Sequence, residues 1–138
     1  RCDAEDTNRL LKDLKHLECA FEAERPREFF EANVSLSNSI HKISKNLTLA
    51  RLMKSIAKQS FRYRYLAYSR VPDLMKISIH SNRALVDAIL ANDSCLARSV
   101  MESVLRQSWR RVIGILSSEE EAIFKQNRAV KGKGKNAT

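Results

Sequence analysis

Two helices joined by a very short turn are predicted by HSNRALVDAILANDSCLARSVMESVL, residues 80–105. Leu85 and Ile89 recur at the spacing of one helical face, which indicates an amphipathic helix. Asn92 and Asp93 then end this helix and cap the next, because their short polar side chains suit both positions. The second helix repeats the pattern with apolar residues at Leu96, Val100, Val104 and Leu105. A connection this short predicts that the two helices pack antiparallel.

Helical patterns continue on both sides of this stretch. Earlier helices are predicted at residues 6–22, 26–45 and 47–69, later ones at about 73–91 and 94–116, and a short last one after a capping box of Ser118 and Glu121. Strand-rich folds need many turns, and the 138 residues contain 3 Gly and 2 Pro. The sequence therefore predicts an all-α fold, an antiparallel bundle of about six helices.

The composition sets limits on the possible partners. The net charge is +9, and its densest part is the C-terminal region that ends in KGKGKNAT. We expect residues 1–127 to form the helical domain and residues 128–138 to be a disordered basic tail, since the tail has nothing to bury. The remaining positive charge is spread thinly over several helices. This distribution favours solvated faces over a nucleic-acid groove.

Cysteines and hydropathy favour a cytoplasmic location. Cys2, Cys19 and Cys95 are sparse and odd in number, which argues against a disulfide framework and for a reducing compartment. No signal peptide is visible, and no apolar run approaches the roughly 18 residues that a membrane span requires. We therefore expect a cytoplasmic protein that does not contact a membrane.

Two stretches resemble motifs of one protein family. EANVSLSNSIHKISKNLTLARLMKSI, residues 31–56, is similar to D-x-x-F-H-x-x-L-x-x-x-x-x-N-x-x-L-x-x-L. Residues 80–105 are similar to H-x-x-I-x-x-A-I-x-x-G-D-x-x-x-A-x-x-x-M-x-x-H-L, with register matches at Ala88, Ile89, Asp93, Ala97 and Met101. On these motifs, residues 4–112 resemble the FCD effector domain of bacterial GntR-type regulators of the FadR subfamily.

The resemblance implies a larger regulator in which DNA binding and ligand binding belong to separate domains. Members of this family carry an N-terminal winged helix that binds operator DNA, and a helical domain that binds a small metabolite and dimerises. The winged helix and the first helix of the effector domain are expected to be absent from this chain. DNA binding is therefore expected only through that absent domain, and the expected partners are a small-molecule effector and a second copy.

The resemblance also points to a metal site that this sequence has lost. Many members hold a metal with one Asp and three His. Here the Asp position is assigned to Asn33, the first His position to Ser37 and the third to Val104, while His80 is taken as the retained second His. Neutral oxygens and one imidazole do not offset the cost of dehydrating a divalent cation. We expect no metal and no other cofactor, with His41 and His16 as weak substitutes.

The ligand-binding residues expected instead are Asn33, Ser37, His80, Val104, Gln59 and Arg62. Unpaired buried polar groups cost about 1–3 kcal/mol each, so a small polar ligand or water would satisfy them. An arginine among residues 62–64 would suit a carboxylate, although a solvent-facing arginine is the commoner case. His80 has an equally plain interpretation, as a hydrogen-bonded histidine of the core.

Other function classes remain open to different degrees. An enzyme is disfavoured because no nucleophile elbow, phosphate-binding loop or zinc-hydrolase spacing is present. A nucleic-acid-binding module would use the run Phe61-Arg-Tyr-Arg-Tyr65 for stacking and phosphate contacts, although helical spacing places Tyr63 on the buried face. A dimerisation module without a ligand is the third class, and a filled cavity near Asn33 and His80 would favour it.

Overall fold

Five helices make up the described part of the chain in the computed structural model. The structure describes residues 3–71 and 73–133, without the side chains of residues 112, 115, 116 and 119–133. The helices are α1 (Ala4–Glu22), α2 (Pro26–Ile43), α3 (Leu47–Arg70), α4 (Leu74–Leu90) and α5 (Ser94–Lys133). The all-α bundle is confirmed. The separate last helix predicted after Ser118 is instead a continuation of α5, because no residue there interrupts the helical backbone.

Side-chain caps and left-handed residues define the turns between helices. Asn46 accepts a hydrogen bond from the backbone N–H of Leu49 at 3.0 Å and so caps α3, as its position in the sequence predicts. Asn92 adopts a positive φ of 56° at the end of α4, and Asp93 then accepts from the N–H of Leu96. The Asn-Asp pair therefore ends one helix and caps the next, as expected.

The hydrophobic core lies among α1, α2 and α4. Its buried members share the inward faces of these three helices and are Leu10, Leu14, Leu17, Ala20, Phe29, Ala32, Leu36, Met75, Ile79 and Val86. An ion pair fixes α4 on α1, with Nε of Arg83 2.6 Å from Oε1 of Glu18. Consecutive residues of an α-helix are about 100° apart, so Asn82 does not share the face of α4 on which Arg83 meets α1.

α3 and α5 form an outer pair that packs loosely on this core. Ala67 is the one residue of α3 that is buried, and large apolar residues such as Leu52 and Leu105 remain more than half exposed. The buried position predicted for Tyr63, which is 49% exposed, is therefore wrong. This packing leaves space between the outer helices and the core, and that space contains the candidate site.

The C-terminal part differs from the expected tail. The backbone of α5 extends to Lys133, so residues 128–133 of the expected basic tail are helical. The remaining tail positions lie outside the described residues. None of the helices in residues 3–71 and 73–133 combines the length and apolar character needed to cross a membrane.

Candidate ligand-binding site

A cavity of about 500 Å³ lies between the core and the outer helices. This volume falls within the roughly 300–1,000 Å³ of small-molecule sites. Helices α2, α3, α4 and α5 all contribute to its walls. The polar lining side chains are Asn33, Ser37, Asn38, His41, Ser60, Arg64, Tyr68, Ser78, Ser81, Asn82, Gln107, Ser108 and Arg111. A molecule bound here would contact four helices at once.

Helical periodicity explains which residues of α3 and α4 reach the cavity. On α3 the lining positions follow one stripe, Leu49, Met53, Ile56, Ala57, Ser60, Arg64, Ala67 and Tyr68. On α4 they are Leu74, Ile77, Ser78, Ser81, Asn82 and Leu85. Both stripes advance by three or four residues, which keeps every member on one face of its helix.

The structure brings together three of the six expected ligand-binding residues. Asn33, Ser37 and Val104 line the cavity from α2 and α5. His80, Gln59 and Arg62 do not line it, and all three are exposed. The inward orientation predicted for these three side chains is therefore wrong. A ligand-binding role for the other three residues stays a prediction.

The error at His80 has a physical cause and a sequence signal that corrects it. Two residues along an α-helix correspond to a rotation of about 200°, so His80 faces away from both Ser78 and Asn82. The family motif places its His eleven residues before its Asp, and 93 minus 11 gives residue 82. Asn82 is therefore the motif position, and His80 resembles it in residue type alone. Arg62 and Arg64 are related in the same way on α3.

Asn33 is the centre of a hydrogen-bond network beneath the cavity. It is 5% exposed, and its Nδ2 donates to Oη of Tyr68 and to Oγ of Ser78, both at 2.8 Å. The two hydroxyls are 2.9 Å apart, and Nδ2 of Asn82 donates to the carbonyl oxygen of Ser78 at 2.9 Å. This network joins α2, α3 and α4 at one point.

Counting hydrogens shows that the network has a donor to spare. Tyr68 and Ser78 each carry one hydroxyl hydrogen, and a single hydrogen bond joins them. Whichever hydroxyl donates, the hydrogen of the other has no acceptor within the described part of the chain. Burial raises the pKa of the Tyr68 hydroxyl, while Ser78 and Arg64 lower it, so the phenol stays protonated at neutral pH. The floor of the cavity therefore offers a hydrogen bond to an acceptor.

Arg64 places a positive charge at the same wall. Its Nη2 lies 3.5 Å from Oδ1 of Asn33, which is too long for a strong hydrogen bond. Its Cζ lies 5.7 Å from the ring centroid of Phe30, a distance typical of a cation–π contact. No carboxylate among the described residues pairs with it, and the described lining contains no Asp or Glu. Most of the five guanidinium donors are thus free to bind an anion.

His41 lies within reach of the charge of Arg64. Desolvation lowers its pKa from 6.5, and the charge of Arg64 lowers the pKa further. A depressed pKa means that the fold favours neutral imidazole, so the unfolded chain binds the proton more readily. Stability is therefore expected to fall as the pH decreases below about 6.5.

A His41→Gln variant is expected to lose part of this pH dependence, and urea midpoints measured between pH 7.5 and 5 would show it. His80→Gln provides the control, since His80 is exposed on α4. An unchanged pH profile in His41→Gln, together with a flattened one in His80→Gln, would contradict the assignment.

The residues present do not fit the metal site that the resemblance implies. The four motif positions carry two amides, a hydroxyl and an isopropyl group, and both amides already donate within the network. His41 lines the cavity, but His16 is exposed on α1 and lies outside the lining. Within the described residues, no group of three His, Cys, Asp or Glu side chains is placed to hold a metal. Divalent metals prefer charged or imidazole ligands, which this wall does not supply.

Comparison with protein families agrees with the helical architecture and the two motifs. The family model for the FCD domain matches residues 1–107. The chain belongs to the FCD domain family. FCD domains are the regulatory, effector-binding domains of GntR-family transcription regulators, and they are not enzymes. Searches of curated proteins and of solved structures gave no significant match.

The residues that sequence reasoning missed form most of the polar site. Ser78 lies four residues before Asn82 and Tyr68 four residues after Arg64, so each shares a helical face with a lining residue. Arg111 lies seven residues after Val104 on α5, which is two turns along the same face. Extending each stripe by one or two turns would have found these residues.

Proposed function

We propose that this FCD domain is the sensor of a GntR-type regulator and that its cavity binds a small organic carboxylate. The observation that carries the proposal is the guanidinium of Arg64, which has no carboxylate partner among the described residues and lies in a cavity whose described lining has no acidic residue. A carboxylate would accept two parallel N–H bonds from Arg64, an arrangement that is short and strong because both partners are charged. The spare hydroxyl hydrogen of Tyr68 or Ser78 would provide a third bond.

Signalling in this proposal depends on the four helices that meet around the ligand. α3 and α5 pack loosely, so a ligand that bridges them to α2 and α4 stabilises one arrangement of the bundle over others. In the full regulator, that arrangement would alter the placement of two winged helices and their affinity for an operator. Couplings of this kind are typically worth about 1–3 kcal/mol.

Thermal denaturation of the chain with a panel of organic acids tests the proposal. A carboxylate at 100-fold over its Kd should add about 2.7 kcal/mol to the free energy of unfolding. The matched primary amides keep the carbon skeleton but lack the charge, and at the same concentration they should stabilise the domain less than the carboxylates do. The proposal is wrong if no carboxylate stabilises the domain, or if the amides stabilise it equally.

Dimerisation is a second candidate function, and exposed apolar residues on α5 favour it. Leu105, Trp109 and Ile113 recur every four residues and are 60%, 66% and 41% exposed. Such a stripe is typical of a helix–helix interface. Sedimentation equilibrium of the wild type and of Trp109→Ser should show a dimer that the substitution weakens. A wild-type monomer at high concentration would reject this candidate.

The nucleic-acid alternative receives little support from the aromatic-basic run. The rings of Phe61 and Tyr65 pack edge-on against Phe30, with centroids 4.5 and 5.9 Å away. Arg64 lies over the same ring. Tyr63 and Arg62 are exposed but separated from one another by a large rotation around the helix. The run thus attaches α3 to α2. It does not present a row of exposed aromatic rings on which nucleic-acid bases could stack.

A further inference from the structure

The cavity is elongated along α3 and changes character along its length. Its α3 lining runs from Leu49 to Tyr68, and 19 residues at 1.5 Å each span about 28 Å. The second half of this stripe contains Ser60, Arg64 and Tyr68. The first half, formed by Leu49, Met53, Ile56 and Ala57, is wholly apolar. One end of the cavity therefore suits a charged group and the other suits hydrocarbon.

Apolar side chains of two further helices also line the cavity. Met101, Val104 and Leu105 line the cavity from this helix, and Ile40 does so from α2. Several of these residues are incompletely buried by the protein itself. Ile56 is 57% exposed, although it lines the cavity. Apolar surface left accessible inside a concave site is typical of a position that a ligand covers.

We propose that the effector is amphiphilic, a monocarboxylate with an unbranched hydrocarbon chain that lies along α3 from Arg64 toward Leu49. This rests on the proposed function, since Arg64 must hold the carboxylate. Ile56 and Arg64 are eight positions apart on α3, which spans about 12 Å, so a chain of medium length reaches Ile56 from a head group at Arg64. A short dicarboxylate would leave one charge against the apolar half, where burial of an unpaired charge is costly.

A chain-length series of saturated monocarboxylates tests this inference. Affinities of the full chain for butanoate, hexanoate, octanoate and decanoate are measured by calorimetry, below the concentrations at which they form micelles. Burial of one methylene corresponds to about a fourfold gain in affinity, so hexanoate and octanoate should differ by about 16-fold. Succinate should bind more weakly than octanoate. Affinity that is independent of chain length, or tightest for succinate, would overturn the inference while leaving a carboxylate sensor in place.

Two matched variants on α3 locate the hydrocarbon chain. Ile56 and Leu52 are one helical turn apart and 57% and 59% exposed, but Ile56 alone lines the cavity. Ile56→Gln should reduce the gain from hexanoate to octanoate at least threefold, whereas Leu52→Gln should keep the wild-type gain. Two results would overturn the inference. One is an equal effect of the two substitutions on the gain from hexanoate to octanoate. The other is that Ile56→Gln changes self-association but not chain-length dependence, which would assign Ile56 to a protein interface.

A change of head group distinguishes failure of this inference from failure of the proposed function. Octanamide has the tail of octanoate without its charge. It should bind at least tenfold more weakly than octanoate, because charged hydrogen bonds are stronger than neutral ones. If octanamide binds as tightly as octanoate and affinity still rises with chain length, the cavity takes hydrocarbon but Arg64 holds no carboxylate. That result would reject the proposed function and the head-group half of the inference together.

Discussion

Replacing Arg64 with Gln is expected to lower the affinity of the domain for its carboxylate about 10- to 100-fold. A hydrogen bond to a charged group contributes about 1.5–3 kcal/mol, which corresponds to that range. The guanidinium has a weak contact with Oδ1 of Asn33 at 3.5 Å, interacts with the hydroxyl of Tyr68 and stacks over Phe30, but no carboxylate of the described residues pairs with it. Its loss should therefore change stability much less than binding, and calorimetric titration beside urea unfolding would measure both.

Arg62 provides a matched control for this prediction. Arg62→Gln removes the same charge from the same helix two residues away, but Arg62 is exposed and does not line the cavity. We expect its carboxylate affinity to stay within about twofold of the wild type once salt screens the long-range charge. Equal losses in the two variants would mean that only net charge matters, and the site at Arg64 would be wrong.

Phe30→Ala is expected to reduce the free energy of unfolding by about 3–5 kcal/mol, the largest stability effect we predict. Phe30 is 1% exposed, and its ring contacts Phe61, Tyr65 and Tyr68 edge-on or tilted. These contacts attach α3 to α2. The substitution leaves a cavity in the aromatic cluster and removes the ring that supports Arg64, so carboxylate affinity should fall as well.

Two further substitutions show whether the aromatic cluster has this role. Phe30→Leu keeps most of the volume and should cost roughly 1–2 kcal/mol. Phe61→Ala removes a half-exposed partner and should cost less than Phe30→Ala, since less apolar area leaves the core. Urea unfolding followed by circular dichroism gives all three values. A loss below 1 kcal/mol in Phe30→Ala would show that α3 is held by other contacts.

The inner helices follow from the sequence because their apolar residues occupy one face each. On α1, Leu10, Leu14 and Leu17 recur at helical spacing and are all buried. On α2, Phe29 and Leu36 behave in the same way. Caps at Asn46 and Asp93 also appear where side-chain chemistry predicts them. In these elements local preference and tertiary packing agree, which makes the local pattern sufficient.

The outer helices could not be predicted to the same depth. Periodicity shows that α3 has an apolar stripe, but it does not show whether that stripe meets another helix or a cavity. Leu49, Met53 and Ile56 line the cavity, whereas Leu52 lies beside this stripe and is exposed to solvent. The sequence also does not predict that α5 continues past Ser118, because a local pattern that suits a helix start does not require one. Ser118 is a good capping residue, yet a helix continues wherever its backbone has no reason to stop.

The candidate site was partly accessible from the motif register. Asn33, Ser37 and Val104 were found by counting along the motifs, and all three line the cavity. Residue type alone points to His80, whereas the motif register points to Asn82. The network of Asn33 with Tyr68 and Ser78 joins residues 35 and 45 positions apart in the chain. Contacts at such separations depend on how helices pack, which a single sequence does not reveal.

Calorimetric titration of octanoate into the chain, with and without a chelator, tests most directly whether the cavity binds an anion through Arg64 and not through a metal. Protein stripped with EDTA should bind octanoate with the same Kd as untreated protein, and added Zn²⁺ or Ni²⁺ should leave that Kd unchanged. Binding that disappears on stripping and returns with either metal would contradict the account.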